Sequence, residues 1–283
     1  MGKDYITRHL ISTSATATYA ALNTGSDGSA PGSIKVPQHR NRISAVIATF
    51  GVDSTVGLDV GLIGVIKLSG KALPTGDQEF VVGALFSQED GTSVGISVTT
   101  RRAIRIPTRI ACTGGNEMTI SGSYSGTDTG SQAFSVTLEF STGGGSTANY
   151  YTRLDSMGQA TATFNPVDTT AEGTTSTIVT EKSAKRITNI ISAVTLNAAG
   201  VVTGASYTLK LSGTGMTEQE IVVGSTAYEA GGGTTTDTDI LLAEPNLQHV
   251  DIDITGGNSL VLAAAYLGTD PGTPFIGITV EIE

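Results

Sequence analysis

The feature that most constrains this chain is that long parts of its sequence occur twice. Residues 66–83 read IKLSGKALPTGDQEFVVG, and residues 209–224 read LKLSGTGMTEQEIVVG. Lys67-Leu68-Ser69-Gly70 matches Lys210-Leu211-Ser212-Gly213, and after a short insert Gln78 to Gly83 matches Gln219 to Gly224. Outward from this anchor, ATATY at 15–19 matches ATATF at 160–164, and Arg42-Ile43 matches Arg186-Ile187. Thr113-Gly114-Gly115-Asn116 matches Thr255-Gly256-Gly257-Asn258, Gly126-Thr127-Asp128 matches Gly268-Thr269-Asp270, and AFSVTLEF at 133–140 matches FIGITVEI at 275–282. Self-similarity that holds its offset with small gaps marks a duplicated structural unit. The sequence therefore divides into an arm (1–12), copy 1 (13–140), a joining segment (141–157) whose glycine run has the composition of a flexible linker, and copy 2 (158–283).

Within each copy the apolar residues alternate. Leu58, Val60, Leu62, Ile66 and Leu68 share one face of an extended segment, and so do Phe134, Val136, Leu138 and Phe140. Tyr207, Leu209 and Leu211, then Ile276, Ile278, Val280 and Ile282, repeat these faces in copy 2. The apolar set is rich in Val and Ile, Gly, Pro, Asp and Ser clusters separate the segments, and no long run carries the helical spacing. The expected fold is all-β: two tandem duplicated β-sandwich or jelly-roll domains of about eight strands each.

Charge separates the copies. The net charge is −10; copy 1 has nine Lys/Arg against ten Asp/Glu, and copy 2 has four against fourteen. Such a chain is a poor general nucleic-acid binder, because phosphate neutralisation needs clustered Lys and Arg. No apolar stretch approaches the roughly 18 residues of a spanning helix, and no apolar leader follows the start. Cys112 is the only cysteine, which excludes an intrachain disulfide; it alternates in phase with Ile104, Ile106 and Ile110 and reads as a buried, inert thiol.

Catalytic constellations are poor. His9, His39 and His249 are scattered over arm, loop and strand without metal-ligand spacing, the Gly143–Gly145 and Gly231–Gly233 runs lack a following Lys-Ser/Thr, and there is no GxSxG elbow. Glu79 and Glu220 each enter an apolar Val-Val-Gly strand after Gln and read as exposed acids at a strand start rather than as catalytic groups. Asp128 and Asp270 fall in matching turns, where closing an Asx-turn is the ordinary role. Asp237 with Asp239, and Asp251 with Asp253, place two carboxylates on one strand face; calcium uses such oxygens, and the ordinary reading is a solvated acidic face. No other cofactor is expected and no enzyme activity.

Two fused eight-stranded β units without helices resemble the tandem jelly-roll shell proteins of viruses, in which one chain supplies two barrels. The resemblance is architectural and implies a coat protein in the virion, whose partners are copies of itself, three chains giving a six-lobed capsomer, and other virion proteins. A phage decoration or fibre protein, or an extracellular surface or filament protein, fits the same residues. Alternation turns Arg105 and Arg109 outward in copy 1, with Arg101 and Arg102 extending the basic side, and turns His249, Asp251 and Asp253 outward in copy 2. The expectation is a copy 1 to copy 2 contact, within or between chains, in which Arg105 and Arg109 face Asp251 and Asp253.

Overall fold

The structure is a computed structural model that describes residues 2–12, 18–29, 32–54, 60–87, 96–99, 103–126, 131–144, 146–157, 163–195, 203–228, 240–243, 245–268 and 274–283. Among these residues there is no helix. Repeat 1 comprises β1 (Asp4–Ser12), β2 (Ala20–Ala21), β3 (Ile34–Lys35), β4 (Arg42–Ser54), β5 (Val60–Ser69), β6 (Gln78–Ser87), β7 (Ile96–Thr99), β8 (Ile104–Ala111), β9 (Glu117–Gly126) and β10 (Ser131–Ser141). Repeat 2 comprises β11 (Asn149–Ser156), β12 (Asn165–Pro166), β13 (Ile178–Val179), β14 (Arg186–Thr195), β15 (Thr203–Gly213), β16 (Gln219–Tyr228), β17 (Ile240–Ala243), β18 (Asn246–Asp253), β19 (Ser259–Gly268) and β20 (Phe275–Ile282).

The pairing is that of a long hairpin rolled up. In repeat 1 the first strand pairs with the last (β1–β10), the short β2 and β3 with β9, β4 with β8, and β5 with β6, all antiparallel. Repeat 2 does the same with β11–β20, β12 and β13 with β19, β14–β18, and β15–β16. Nested pairs of this kind, split between two sheets, are the jelly roll. Sheet I is β1-β10-β4-β8, with β7 also on β4; sheet II is β17-β6-β5-β9-β2, with β3 also on β9. Sheet III is β11-β20-β14-β18 and sheet IV is β12-β19-β15-β16, with β13 also on β19. Strand β17 crosses over: it belongs to repeat 2 by sequence and pairs with β6 of repeat 1, Leu242 opposite Leu85.

The sheets stack in the order I, II, III, IV, and an apolar core fills each gap. Phe50, Leu62, Leu68, Phe80, Val136 and Phe140 lie between I and II. Ile187, Tyr207, Leu211, Tyr266, Ile278 and Val280 lie between III and IV. Ile63, Val65, Val81 and Ala84 from II meet Leu154 and Ala193 from III, with Ala171 from a loop of repeat 2. Alternation thus works as the sequence indicates: one face of β5 enters its own jelly roll while the other enters the contact between jelly rolls.

The two barrels are filled by different means. Phe50 lies over Gly64 so closely that a Cβ there would come within 2.6 Å of the ring. At the matching register in repeat 2, Val194 and the fully buried Tyr207 reverse the large and small partners, conserving volume. The recurring Thr-Gly-Gly-Asn has a backbone cause: Gly115 and Gly257 have φ of 83° and 81°, and a Cβ on Gly114 or Gly256 would lie 2.4 or 2.3 Å from a carbonyl oxygen of the preceding loop.

Two expectations need correction. The segment 1–12 is no arm outside the repeat: β1 is the first strand of jelly roll 1, hydrogen-bonded along β10 from Asp4 opposite Phe140 to Ser12 opposite Gln132. Its twin lies in the segment read as a linker, where Asn149–Ser156 pairs with β20 as β11. Tyr5-Ile6-Thr7-Arg8 and Tyr150-Tyr151-Thr152-Arg153 are the same strand twice, and this short match sets the true start of each repeat.

Candidate functional site

Within the chain, the surface on which one jelly roll recognises another is the junction of sheets II and III. The Leu154 and Ala193 side chains of III lie against the outward-facing Ile63, Val65 and Val81 of II, and full burial of each Val or Ile is worth about 1.5–3 kcal/mol. Gly277 on β20 makes this approach possible, since a Cβ there would come within 2.9 Å of Ile63 Cγ2 and 3.0 Å of Val81 Cγ2. A polar contact fixes the register: the Val81 N–H donates to Thr279 Oγ1 at 2.9 Å, and that hydroxyl meets Thr152 Oγ1 at 2.8 Å. Both threonines are buried, so each depends on this pairing.

Charged groups ring the apolar centre. On one side Arg109 donates from Nε to Glu281 Oε1 at 2.9 Å and also holds Glu283, while its Nη2 reaches Thr188 Oγ1 at 2.9 Å. Glu281 is 3% exposed and takes a further hydrogen bond from Asn189 at 2.5 Å. Burial pulls the Arg109 guanidinium down, but the hydrogen bond and charge of Glu281, then those of Glu283, outweigh it and the pKa rises. The Arg109 N–H donates to the Tyr150 hydroxyl at 3.0 Å, and burial, then the charge of Glu281, drives that phenol upward.

On the other side Tyr19 donates to Glu79 Oε1 at 3.1 Å, and Arg153 Nη1 stands 3.9 Å from Glu79 Oε2. Burial raises the Glu79 pKa, against the opposing pull of Tyr19, Arg153 and Lys67. Arg153 is lowered by burial and satisfies itself on the backbone oxygens of Ser176 and Thr152, both at 2.6 Å. Lys67 lies 4.1 Å over the Tyr19 ring and 3.6 Å from Glu172. Buried Gln78 accepts the Tyr150 N–H at 2.8 Å.

The sequence candidates scatter against this frame. Arg109 is at the junction between repeats, but its partners are Glu281 and Glu283. Arg105 stays within repeat 1, donating to Glu139 Oε2 at 2.9 Å. Asp251 and Asp253 point into solvent and pair with Arg186 of the neighbouring strand at 2.9 and 3.7 Å. Within the chain, then, neither arginine faces these aspartates. Among the described residues no group of three or more metal-ligating side chains converges. Asp237, Asp239, Asp128, Asp270, Arg101 and Arg102 lie outside the described residues.

Cys112 is buried and its thiol is pushed up to about 11. His9 is held by Ser135 at 2.8 Å and Ser26 at 3.2 Å. Glu79 was expected on an open face and is instead half-buried under Tyr19, whereas its twin Glu220 is exposed as expected.

Glu139 and Glu281 are not among the sequence candidates, because each is a lone acid between apolar residues of its strand. Their signal is positional: both occupy the same place in the last strand of their repeat, and both are almost wholly buried. Glu139 gathers Lys3, Tyr5, Ser44 and Arg105; burial would raise its carboxyl, and these partners hold it down at about 2. Beside the junction a cavity of about 60 Å³ is lined by Arg153, Asp168, Ser176, Ile178 and Leu260. It is far below the several hundred Å³ of a typical small-molecule site.

No family model matches this sequence, and no curated protein does. Among solved structures, the tandem CBM22-1–CBM22-2 domains of Paenibacillus barcinonensis Xyn10C match at 10% identity, covering 99% of this chain and 90% of that one, with a TM-score of 0.25. The VP2 subviral particle of infectious bursal disease virus matches at 10% identity over 99% of this chain and 71% of that one, with a TM-score of 0.24. The Macrobrachium rosenbergii nodavirus structure matches at 10% identity over 100% and 88%, with a TM-score of 0.20.

Proposed function

We propose that this chain is a structural protein that assembles with copies of itself, and that the assembly is the shell of a virus or phage. The observation that carries the reading is the junction of sheets II and III. There one jelly roll presents a sheet face to a different sheet face of its near-duplicate, with an aliphatic centre, a buried hydroxyl pair and a ring of ion pairs. Duplicated domains that recognise each other through unlike faces form a heterologous contact, the kind that builds rings and open arrays. The architectural resemblance to tandem jelly-roll shell proteins points to enclosure as the purpose. A second reading, a fibre or surface filament, is favoured by the linear order of the four sheets, each packed on the next.

In the assembled state the exposed Asp251 and Asp253 are candidate partners for Arg105 or Arg109 of a neighbouring copy, a contact that would set register and weaken with salt. Negative-stain images of the purified full chain test the function. Closed shells or hexagonal rosettes support the shell, and linear polymers support the filament. Dispersed single particles at every concentration and salt would overturn both.

A further inference from the structure

Each of the two faces that meet inside the chain has a twin that lies open. The twin of the outer face of sheet II is the outer face of sheet IV: Gln219, Glu220 and Val222 stand where Gln78, Glu79 and Val81 stand. Lys210 lies 5.3 Å over the Phe164 ring, as Lys67 lies over Tyr19. Val81 is 0% exposed in the junction while Val222 is 60% exposed, and Leu267, two strands across on the same face of sheet IV, is 72% exposed.

The twin of the outer face of sheet III is the outer face of sheet I. Tyr5 stands for Tyr150, Ile47 for Ile191 and Thr137 for Thr279. The Thr7–Thr137 hydroxyl pair, at 2.8 Å, reproduces Thr152–Thr279 at the same distance. Arg8, the twin of Arg153, has a buried Nε with no hydrogen-bond partner among the described residues, where Arg153 Nε holds the Ser176 carbonyl.

We infer that the outer face of sheet IV of one chain docks on the outer face of sheet I of a second copy, repeating between chains the contact that joins II to III within one. The groups that set the internal register have counterparts on both open faces: the Val222 N–H is the counterpart of the Val81 N–H and would meet a threonine hydroxyl at Thr137, and Glu220 would meet Arg8 as Glu79 meets Arg153. The tightest point of the contact is rebuilt by compensation. Ser135 replaces Gly277 on sheet I, and the added Cβ would strike an isoleucine at the position of Ile63; sheet IV carries Ser206 there instead.

Elsewhere Thr208, His9 and Thr49 replace Val65, Leu154 and Ala193, so this contact is wetter and weaker than the internal one. Leu267 and Val261, in place of Ser125 and Thr119, return apolar area at its β19 side. Charge favours the unlike pairing, because repeat 2 (149–283) carries five basic against fifteen acidic residues and two copies of sheet IV would set acid against acid. The contact is heterologous, so chains add head to tail. The inference rests on the self-assembly reading only in that copies associate.

Sedimentation velocity on the full chain tests it with two blocked variants, Val222→Arg on sheet IV and Thr137→Arg on sheet I, run alone and as an equimolar mixture. The wild type is expected to grow from monomer to dimer to longer species with concentration. Each variant alone is expected to stay monomeric, and the mixture to form a dimer and stop, because one open face of each kind remains. That dimer also proves both variants folded; Leu267→Arg and Ser135→Arg repeat the pair should either site fail to fold. Dimers of Thr137→Arg alone would mean that sheet IV pairs with itself and would overturn the head-to-tail contact. Variants that both assemble like wild type would overturn this contact while leaving self-assembly intact, whereas a wild type monomeric at all concentrations would end both readings.

Discussion

Gln78–Gly83 and Gln219–Gly224 are nearly the same strand in sequence and in fold, yet they live in opposite surroundings. Each pairs with the KLSG strand of its own repeat and sends its first Val outward. Val81 is then sealed beneath sheet III, and Glu79 is drawn into a half-buried ring with Tyr19 and Arg153. Val222 and Glu220 are open to solvent. The strand's own residues therefore decide which sheet it joins and which way each side chain points. Whether the outward face is core or surface depends on a sheet of the other repeat, Thr279 being 198 positions from Val81 in the chain.

The largest expected contrast is between Val81→Glu and Val222→Glu. A carboxylate at Val81 would face Ile63 and Gly277 without a partner, and it should cost about 4 kcal/mol of unfolding free energy or open the junction. The same change at Val222 should stay within about 0.5 kcal/mol for the monomer. Urea midpoints of the two variants decide it, and equal losses would break the comparison.

Next in size is Arg109→Ala against Asp251→Ala. The first leaves buried Glu281 with Asn189 but without its guanidinium and should cost about 2 kcal/mol; the second removes one end of an exposed pair and should cost under about 0.5 kcal/mol. Urea denaturation of the two variants reads the difference.

The third concerns pH. Glu139 is held at about 2, below the ordinary carboxylate value of about 4.3, so its contribution is full above that value and is lost as pH falls from there through about 2. Glu139→Gln should flatten the acid limb of the stability curve over that window, read as the urea midpoint against pH. An unchanged limb would mean that other carboxylates carry it.

The smallest expected effect is that of Glu79→Gln. Tyr19 can still donate to the amide oxygen, and a carboxyl whose pKa burial has raised is relieved of its charge, so stability at neutral pH should change by no more than about 0.5 kcal/mol and assembly should be unaltered. A larger loss, with assembly abolished, would make the Glu79–Arg153 contact a keystone of the junction.

Much of the architecture is legible in the sequence. The alternation of Phe134, Val136, Leu138 and Phe140, and of Ile106, Ile110 and Cys112, gives the inward faces correctly, because side-chain direction in a strand is a local property. The start of each repeat was missed because Tyr5–Arg8 and Tyr150–Arg153 share only three identities, too short a match to stand out until β1 and β11 are seen in equivalent places. The junction was half legible. Charge imbalance pointed to a basic copy 1 surface meeting an acidic copy 2 surface, and Arg109 is there, but Glu281 was hidden in a run of apolar strand residues.

What the sequence determined by itself is the repeated unit, its all-β character and the two faces of its strands, since each follows from neighbours within a few residues. Tertiary structure alone decided that the strands nest as jelly rolls, that sheet II stacks on sheet III, and that Glu79, Glu139 and Glu281 are drawn out of solvent. The physical reason is that burial of a polar face is paid back by partners brought from distant strands. Lys3 at Glu139 and Arg109 at Glu281 are such partners, and no local pattern announces them.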